Sequence, residues 1–152
     1  VFTLGHRNVQ GLAFDSAGRL WASEFGEKDA DELNQLRAGR NYGWPVHEGA
    51  AKDDRYANPA VQWSPTSTAS PSGITILDDV AYVASLRGEV LWQVPLSGTR
   101  AGRPVALSIG DRGRLRTVAT APDGSLWLMT SNTDGRGNAR PKDDRILRLS
   151  VR

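Results

Sequence analysis

Five carboxylates surround a glycine in the eleven residues from Glu24 to Asn34. Oxygen-rich segments of this kind suit a hard cation such as calcium, which takes about six to eight oxygen ligands. The spacing differs from that of an EF-hand, because the D-x-D-x-D-G run and the closing glutamate are missing. An acidic loop is more often a solvated turn. On the residues alone, a cation site and a plain turn therefore both stay open.

A second group of candidate residues is basic. Arg114 and Arg116 lead into a strand pattern, in which alternation places both guanidinium groups on one face and Leu115 on the other. Guanidinium forks suit bidentate recognition of carboxylates or phosphates. The pair predicts either a receptor for a polyanion or a solvated strand edge. Nucleic acid is not expected as the anion, because stacking aromatic residues do not interleave with the basic ones.

The composition narrows the remaining chemistry. The 152 residues contain no cysteine and two histidines, His6 and His47, which excludes thiolate chemistry and a multi-histidine metal centre within this chain. Serine-hydrolase and phosphate-loop motifs are absent. A net charge of +2 favours no partner through bulk electrostatics. No apolar run is long enough to predict a membrane span.

Three stretches of the chain, at 11–22, 73–83 and 118–128, share one sequence pattern. They indicate the secondary structure that positions the acidic and basic candidate residues. Each combines a short alternating strand, a turn containing Asp and a second strand with a central aromatic residue, which indicates a hairpin. A further strand is predicted after each hairpin, at residues 31–36, 89–96 and 145–151. The aromatic residues Trp21, Tyr82 and Trp127 are 61 and then 45 positions apart. Propeller blades repeat at a similar distance, about 40 to 50 residues.

The sequence therefore predicts an all-β fold: a partial β-propeller of about three blades of antiparallel meanders. The blade-like units are expected at about 1–62, 63–110 and 111–152. Closed propellers have about four to eight blades, and an open arc would expose unpaired strand edges. We therefore expect residues 1–152 to be one part of a single propeller domain, completed by further blades or by a second copy of the chain in a homodimer.

Several short motifs follow one another along the chain: GHRN with QGL (5–12), DELN (31–34), NYGWP (41–45), SPSG (70–73), SLRG (85–88), and RLR with APDG (114–124). In this order they resemble the soluble quinoprotein glucose dehydrogenase and aldose sugar dehydrogenase family, also called glucose/sorbosone dehydrogenases. The resemblance covers nearly the whole chain.

The resemblance implies a six-bladed propeller that binds pyrroloquinoline quinone (PQQ) and calcium over its central channel. Such a protein oxidises aldoses at C1 to lactones by hydride transfer to the quinone, and this chain would be about its C-terminal half. The family's catalytic histidine belongs to the other half, so neither His6 nor His47 inherits that role. The fragment alone is expected to be inactive. The resemblance also implies a periplasmic or extracellular location, and it leaves the electron acceptor open.

The resemblance also assigns roles to individual residues. Arg7 and Asn8 are implied to approach the quinone and to act in catalysis. Further PQQ contacts are implied for Asp31, Thr68, Arg87, Arg114 and Arg116. The backbone carbonyls of Gly26 and Glu27 are implied to hold the cofactor's calcium, and a second, structural calcium is implied at Glu32, the Tyr42 carbonyl and Asp53.

Two positions depart from the family pattern. Phe25 stands where some members carry glutamine, and Glu27 stands where many carry proline. The extra carboxylate changes the local charge, so substrate choice is expected to differ. A rival interpretation is a non-catalytic propeller of the same superfamily that acts as a binding or interaction module. The presence of Arg7, Asn8 and the later arginines favours the enzyme.

Overall fold

The computed structural model describes residues 1–151. They contain twelve strands, which form three antiparallel sheets. Sheet 1 has the order β1 (Val9–Phe14), β2 (Leu20–Glu24), β3 (Asp31–Leu36), β4 (Val61–Trp63). Sheet 2 contains β5 (Pro71–Leu77), β6 (Val80–Ser85), β7 (Leu91–Ser97), β8 (Arg100–Ala101) and β9 (Val105–Leu107), which pairs with β7. Sheet 3 contains β10 (Leu115–Thr120), β11 (Leu126–Thr130) and β12 (Ile146–Leu149).

The all-β prediction is confirmed, and the sheets form an open arc that is consistent with a partial propeller. Within residues 1–151 the helical structure is limited to a 3₁₀ turn at Thr66–Thr68. That turn falls far short of the length and apolarity that a bilayer crossing would need. The proposed unit boundaries at 62/63 and 110/111 stay a prediction.

The hairpin turns are stabilised by the aspartates that mark them in the sequence. Asp15 accepts hydrogen bonds from the backbone N–H of Ala17 and Arg19 and from the Arg19 side chain. It also accepts one from the buried Trp21 indole at 2.9 Å. Burial raises the pKa of Asp15, but these donors outweigh it and the pKa is lowered. This arrangement joins the turn chemistry directly to the core of sheet 1.

Glycines let the first strands of neighbouring sheets approach closely. A Cβ atom on Gly11 of β1 would lie 2.8 Å from the Ser72 carbonyl in β5. A Cβ atom on Gly73 of β5 would lie 2.8 Å from Cα of Thr117 in β10. Real Cβ atoms do not tolerate such distances, so glycine is required for this packing. The strands β1, β5 and β10 therefore line up as the adjoining inner strands of the three sheets.

Two apolar clusters fill the spaces between the sheets. The first joins sheets 1 and 2 and includes Trp21, Leu33 and Val83, and the second joins sheets 2 and 3 and includes Leu91 and Leu128. The outer faces of the arc are different, because large apolar side chains are exposed there. They are Leu12 and Phe14 on β1, Trp127 and Met129 on β11, and Ile146 on β12.

Candidate functional site

The strand topology brings the chemically interesting segments to one edge of the sheets. In an antiparallel meander the start of one strand lies beside the end of the next. The starts of β1, β3, β5 and β10 therefore lie on the same edge as the ends of β2, β6 and β11. These are the positions of the HRN segment, the acidic loop and the later arginines.

A cavity of about 200 Å³ opens at this edge, between all three sheets. Its lining combines three arginines with apolar and small side chains: Phe25, Ser70, Leu86, Arg87, Arg114 and Arg136. Positive groups around a partly apolar floor suit a flat anion that carries several carboxylates. The cavity therefore has the chemistry of a polyanion receptor.

Arg114 is the most deeply placed of these arginines, with 8% of its side chain exposed. Its Nε donates to the Ser131 carbonyl at 3.1 Å, and its Nη2 donates to Asp134 Oδ2 at 3.2 Å. Arg116 donates to the same Asp134 oxygen at 3.3 Å. The prediction from strand alternation is therefore met, since both guanidinium groups lie on one side of β10 and share one carboxylate.

Arg7 and Asn8 lie just before β1, next to the loop that follows β2. The Arg7 guanidinium stacks over Trp44 at 5.5 Å and donates to the Gly26 carbonyl at 2.8 Å. The Asn8 side-chain oxygen accepts from Gln10 Nε2 at 2.6 Å. These contacts place Arg7 at one of the carbonyls that the resemblance assigns to calcium.

The buried Glu24 carboxylate holds the segment that contains His6 and Arg7 in place. Glu24 Oε1 accepts the backbone N–H of Arg7, and Glu24 Oε2 is hydrogen bonded to His6 Nδ1 at 2.8 Å. The His6 ring also contacts the Thr3 hydroxyl and stacks on Tyr42 with centroids 4.7 Å apart. Both nitrogens of His6 are thus engaged in hydrogen bonds to neighbouring side chains.

Asp31 ties the acidic loop of sheet 1 to the start of sheet 2. The side chain is buried and accepts the N–H of Gly26 at 3.0 Å and of Ser70 at 2.7 Å. Burial is the main influence on its pKa, which rises to about 6 despite these two donors; the negative charge of Glu48 also raises it. Asp31 therefore acts on the site by positioning two backbone segments.

Glu48 holds the loop between β2 and β3 in shape. Its Oε1 accepts three backbone N–H groups, from Lys28 at 2.9 Å, Asp29 at 2.7 Å and Ala30 at 2.9 Å. Burial raises the pKa of Glu48, yet these donors lower it overall. A Cβ atom on Gly26 would overlap the Ala30 carbonyl, so the loop also requires glycine there. The segment that carries the Gly26 and Glu27 carbonyls is therefore rigidly supported.

The residues implied for a structural calcium are only partly brought together. Glu32 and Tyr42 line a narrow cleft of about 10 Å³, which barely holds one water-sized particle. Burial raises the pKa of Glu32. Asp53 is not among the lining residues of this cleft, and it pairs with Arg55 at 2.6 Å. Within residues 1–151 no group of three or more His, Asp or Glu side chains is arranged to hold a metal ion.

Thr68 lies against Gly88, the residue that follows Arg87 in the chain. Thr68 is exposed and ends the 3₁₀ turn, and a Cβ atom on Gly88 would overlap the Thr68 carbonyl. Arg87 lines the cavity, whereas Thr68 is not among its lining residues. Leu86 N–H donates to the Ser70 carbonyl at 3.0 Å, which fixes this segment against the start of β5.

Sequence reasoning missed three residues of the site: Glu48, Asp134 and Arg136. Glu48 acts about twenty positions away from the loop that it holds. Asp134 and Arg136 lie in the long connection between β11 and β12, which has no periodic pattern. The one local signal is the DGRG run at 134–137, which is typical of a turn and does not by itself indicate a site.

Fold and cavity together define a class of protein: an all-β chain of propeller-type meanders with an arginine-lined cavity at one edge. The chain belongs to the Glucose / Sorbosone dehydrogenase family, whose model matches residues 1–148. This confirms the family resemblance found in the sequence. Several of the relatives it resembles are named as glucose or aldose sugar dehydrogenases.

Among solved structures, the chain resembles the PQQ-bound aldose sugar dehydrogenase of Streptomyces coelicolor at 54% identity and a TM-score of 0.93. The match covers 97% of this chain and 44% of that one. A glucose dehydrogenase-like oxidoreductase of Thermus thermophilus matches at 42% identity and a TM-score of 0.91, over 99% and 47% of the two chains.

Among curated proteins, quinoprotein glucose dehydrogenase B of Acinetobacter calcoaceticus is 51% identical over 57 residues, which is 38% of this chain and 12% of that protein. An aldose sugar dehydrogenase of Escherichia coli K12 is 27% identical over 156 residues, or 89% of this chain and 42% of that protein. The chain therefore spans less than half the length of these curated relatives.

Proposed function

We propose that this chain supplies the cofactor-binding edge of a PQQ- and calcium-dependent sugar dehydrogenase that oxidises aldoses at C1 to lactones. The observation that carries the proposal is the cavity lined by Arg87, Arg114 and Arg136. Membership of a dehydrogenase family supports the same conclusion.

The lining fits PQQ, which is flat and carries three carboxylates. Arg114 is nearly buried, and the Ser131 carbonyl and Asp134 accept only some of the hydrogen bonds that its guanidinium can donate. The remaining N–H donors of a buried guanidinium need acceptors, which the carboxylates of a ligand would supply. Phe25 and Leu86 add an apolar surface for a planar ring. Arg87 and Arg114 would hold carboxylates from the cavity lining, and Arg116, which is not a lining residue and shares Asp134 with Arg114, would do so from beside it. Asp31 and Thr68 would support the neighbouring backbone.

Calcium would be held by backbone oxygen atoms, which are ligands that this hard cation prefers. The Gly26 carbonyl is an available donor on a loop that Glu48 and Asp31 hold rigid. In the structure that carbonyl accepts Arg7 Nη1, so calcium would share or displace this hydrogen bond. Glu27 would add its carbonyl. A second calcium at Glu32, Tyr42 and Asp53 would require Asp53 to leave Arg55.

When bound, PQQ would supply the two-electron redox chemistry for oxidation of the sugar at C1. Arg7 and Asn8 would act as preorganised hydrogen-bond donors that stabilise negative charge on the cofactor. Trp44 and Glu24 keep Arg7 in place through its guanidinium face and its backbone N–H. The proton from the sugar hydroxyl is taken by a histidine outside this chain, so the chain alone is expected to be inactive.

We further propose that residues 1–152 form about the C-terminal half of one propeller domain, in units of about 1–62, 63–110 and 111–152. The exposed apolar flanks support this, because Leu12 and Phe14 on one side and Trp127 and Met129 on the other face away from sheet 2. Exposed apolar side chains grouped in this way mark surfaces that bind a partner. Light scattering on the isolated chain tests the alternative closure: a dimer supports pairing of two half-rings, and a stable monomer dismisses it.

The decisive experiment uses the full-length protein that carries this chain. It is titrated with PQQ in the presence of calcium and then assayed for dye reduction with a panel of aldoses. PQQ binding and aldose-dependent dye reduction are expected. Failure of both would leave the alternative of a non-catalytic binding module. The family resemblance also favours a periplasmic or extracellular location, which cell fractionation tests.

A further inference from the structure

The connection between β11 and β12 contributes a basic side chain that the motif comparison did not single out. Arg136 lines the same cavity as Arg87 and Arg114. We propose that Arg136 is an additional anion-binding residue, whose guanidinium pairs with a carboxylate of the polycarboxylate ligand in this cavity. The inference rests on the proposed function, and it adds a residue and a loop to the binding site.

The position of Arg136 is fixed by its neighbours in the loop. Its backbone N–H donates to Asp134 Oδ1 at 3.0 Å, while Asp134 Oδ2 accepts from Arg114. One carboxylate therefore links the Arg136 backbone to the guanidinium of Arg114. Gly135 has a φ of +81°, a conformation that favours glycine. This turn directs the loop back towards the cavity.

Close backbone packing then holds the loop over β10. A Cβ atom on Gly137 would lie 2.8 Å from Cδ of Arg114 and 2.7 Å from Cα of Asn132. Asn132 is buried, and its Oδ1 accepts the backbone N–H of Arg114 at 2.9 Å. The backbone of Gly137, the residue after Arg136, is thus packed directly against the Arg114 side chain.

The charges around the loop distinguish Arg136 from its neighbours. Arg140 pairs with Asp111 at 2.5 Å and Arg145 pairs with Asp143 at 3.2 Å, so both are neutralised within the protein. Among residues 1–151 the Arg136 guanidinium makes no ion pair. It is the loop arginine whose charge stays available to a ligand.

The cavity as a whole carries excess positive charge. Arg114 and Arg116 share the single carboxylate of Asp134, and Arg87 has no ion-pair partner within the described residues. The charge of Arg87 acts on the buried Asp31 carboxylate, whose pKa it lowers. A ligand with several carboxylates therefore meets more guanidinium groups than internal counter-ions. Arg136 adds a third guanidinium group to the cavity lining, beside those of Arg87 and Arg114.

The test uses the full-length protein carrying Arg136→Ala, with Arg140→Ala as the matched control from the same loop. PQQ is titrated by isothermal calorimetry in calcium-containing buffer at low and high salt, and folding is checked by circular dichroism. We expect Arg136→Ala to raise the Kd about three- to tenfold, as for one partly exposed charge-assisted contact, with the larger change at low salt. Arg140→Ala should leave the Kd within about twofold of wild type. Arg136→Lys should give an intermediate value.

A second ligand separates charge recognition from packing. The trimethyl ester of PQQ lacks the carboxylate charges, so its binding should change little between wild type and Arg136→Ala. Equal Kd values for PQQ in Arg136→Ala and Arg140→Ala would overturn the role of Arg136 while leaving the proposed function intact. Equal weakening of the acid and the ester by Arg136→Ala would also overturn it. Failure of the wild-type protein to bind PQQ would overturn both proposals.

Discussion

Replacing Arg114 with methionine separates the anion-binding role of this side chain from its packing role. Methionine keeps an unbranched stem of similar reach and removes the guanidinium. In the native protein that group is 8% exposed and donates to the Ser131 carbonyl and to Asp134. Its remaining donors are those that would meet a ligand in the cavity.

The expected effects on stability and on binding differ in size. Removing one partner of a buried ion pair is costly when the other is left alone, but Asp134 keeps Arg116 and 26% of its side chain is exposed. We therefore expect the free energy of unfolding to fall by only about 1–3 kcal/mol, chiefly through the lost contacts to Ser131 and Asp134. A lost charge-assisted contact to a carboxylate costs about 1.5–3 kcal/mol, or roughly 10- to 150-fold in the Kd for PQQ.

The assay combines urea unfolding with calorimetric titration of PQQ on the full-length protein. Arg112→Met is the matched control, because Arg112 is an exposed arginine two positions away that does not line the cavity. Arg112→Met should bind PQQ as wild type does. If Arg114→Met were folded and bound PQQ with wild-type affinity, the assignment of this cavity as the cofactor site would be wrong.

Three further predictions concern the framework and the metal. Asp15→Asn should lower the free energy of unfolding by about 2–4 kcal/mol at neutral pH, measured by urea unfolding, because asparagine keeps only one of the two oxygens, so either the buried Trp21 indole or the turn N–H groups face an amide NH2 in place of an acceptor. Since the pKa of Asp15 is lowered on folding, its stabilisation is present above the unfolded pKa and is lost as the pH falls, so the deficit of the variant should shrink in acid; an unchanged deficit would contradict this. Gly73→Ala should cost about 1–3 kcal/mol in the same measurement because its Cβ meets Thr117, whereas Gly102→Ala, with ordinary contacts, should be nearly neutral. Removing calcium by chelation should weaken PQQ binding at least tenfold, and unchanged calorimetric affinity in chelator would count against a shared metal site.

Local patterns were sufficient to predict the three hairpins and the strand after each, but they did not place the short strands β4, β8 and β9. A strand was expected at residues 31–36 and is found at Asp31–Leu36, and the strands expected at 89–96 and 145–151 are found at Leu91–Ser97 and Ile146–Leu149. Alternation and turn residues act over a few positions, so they can be read directly from the chain. The shared face of Arg114 and Arg116 follows from the same period of two.

Such local patterns could not predict the hydrogen bonds that support the site. Asp31 binds the N–H of Ser70, which is 39 positions away, and Glu48 holds a loop about 20 positions upstream. Asp53 was implied as a calcium ligand, and the structure pairs it with Arg55. Which carboxylate meets which donor depends on how the sheets pack, and one sequence contains no periodic signal for that choice.

The sequence by itself determined the meanders, the aspartate turns and the supply of arginines, because hydrogen bonding and side-chain alternation within a hairpin are local. Only the tertiary structure decided that the β11–β12 loop folds back so that Arg136 joins Arg87 and Arg114 around one cavity. That placement depends on glycine contacts and on a carboxylate shared between segments about 20 residues apart. Its physical origin is packing between sheets, which exists only after the chain has folded.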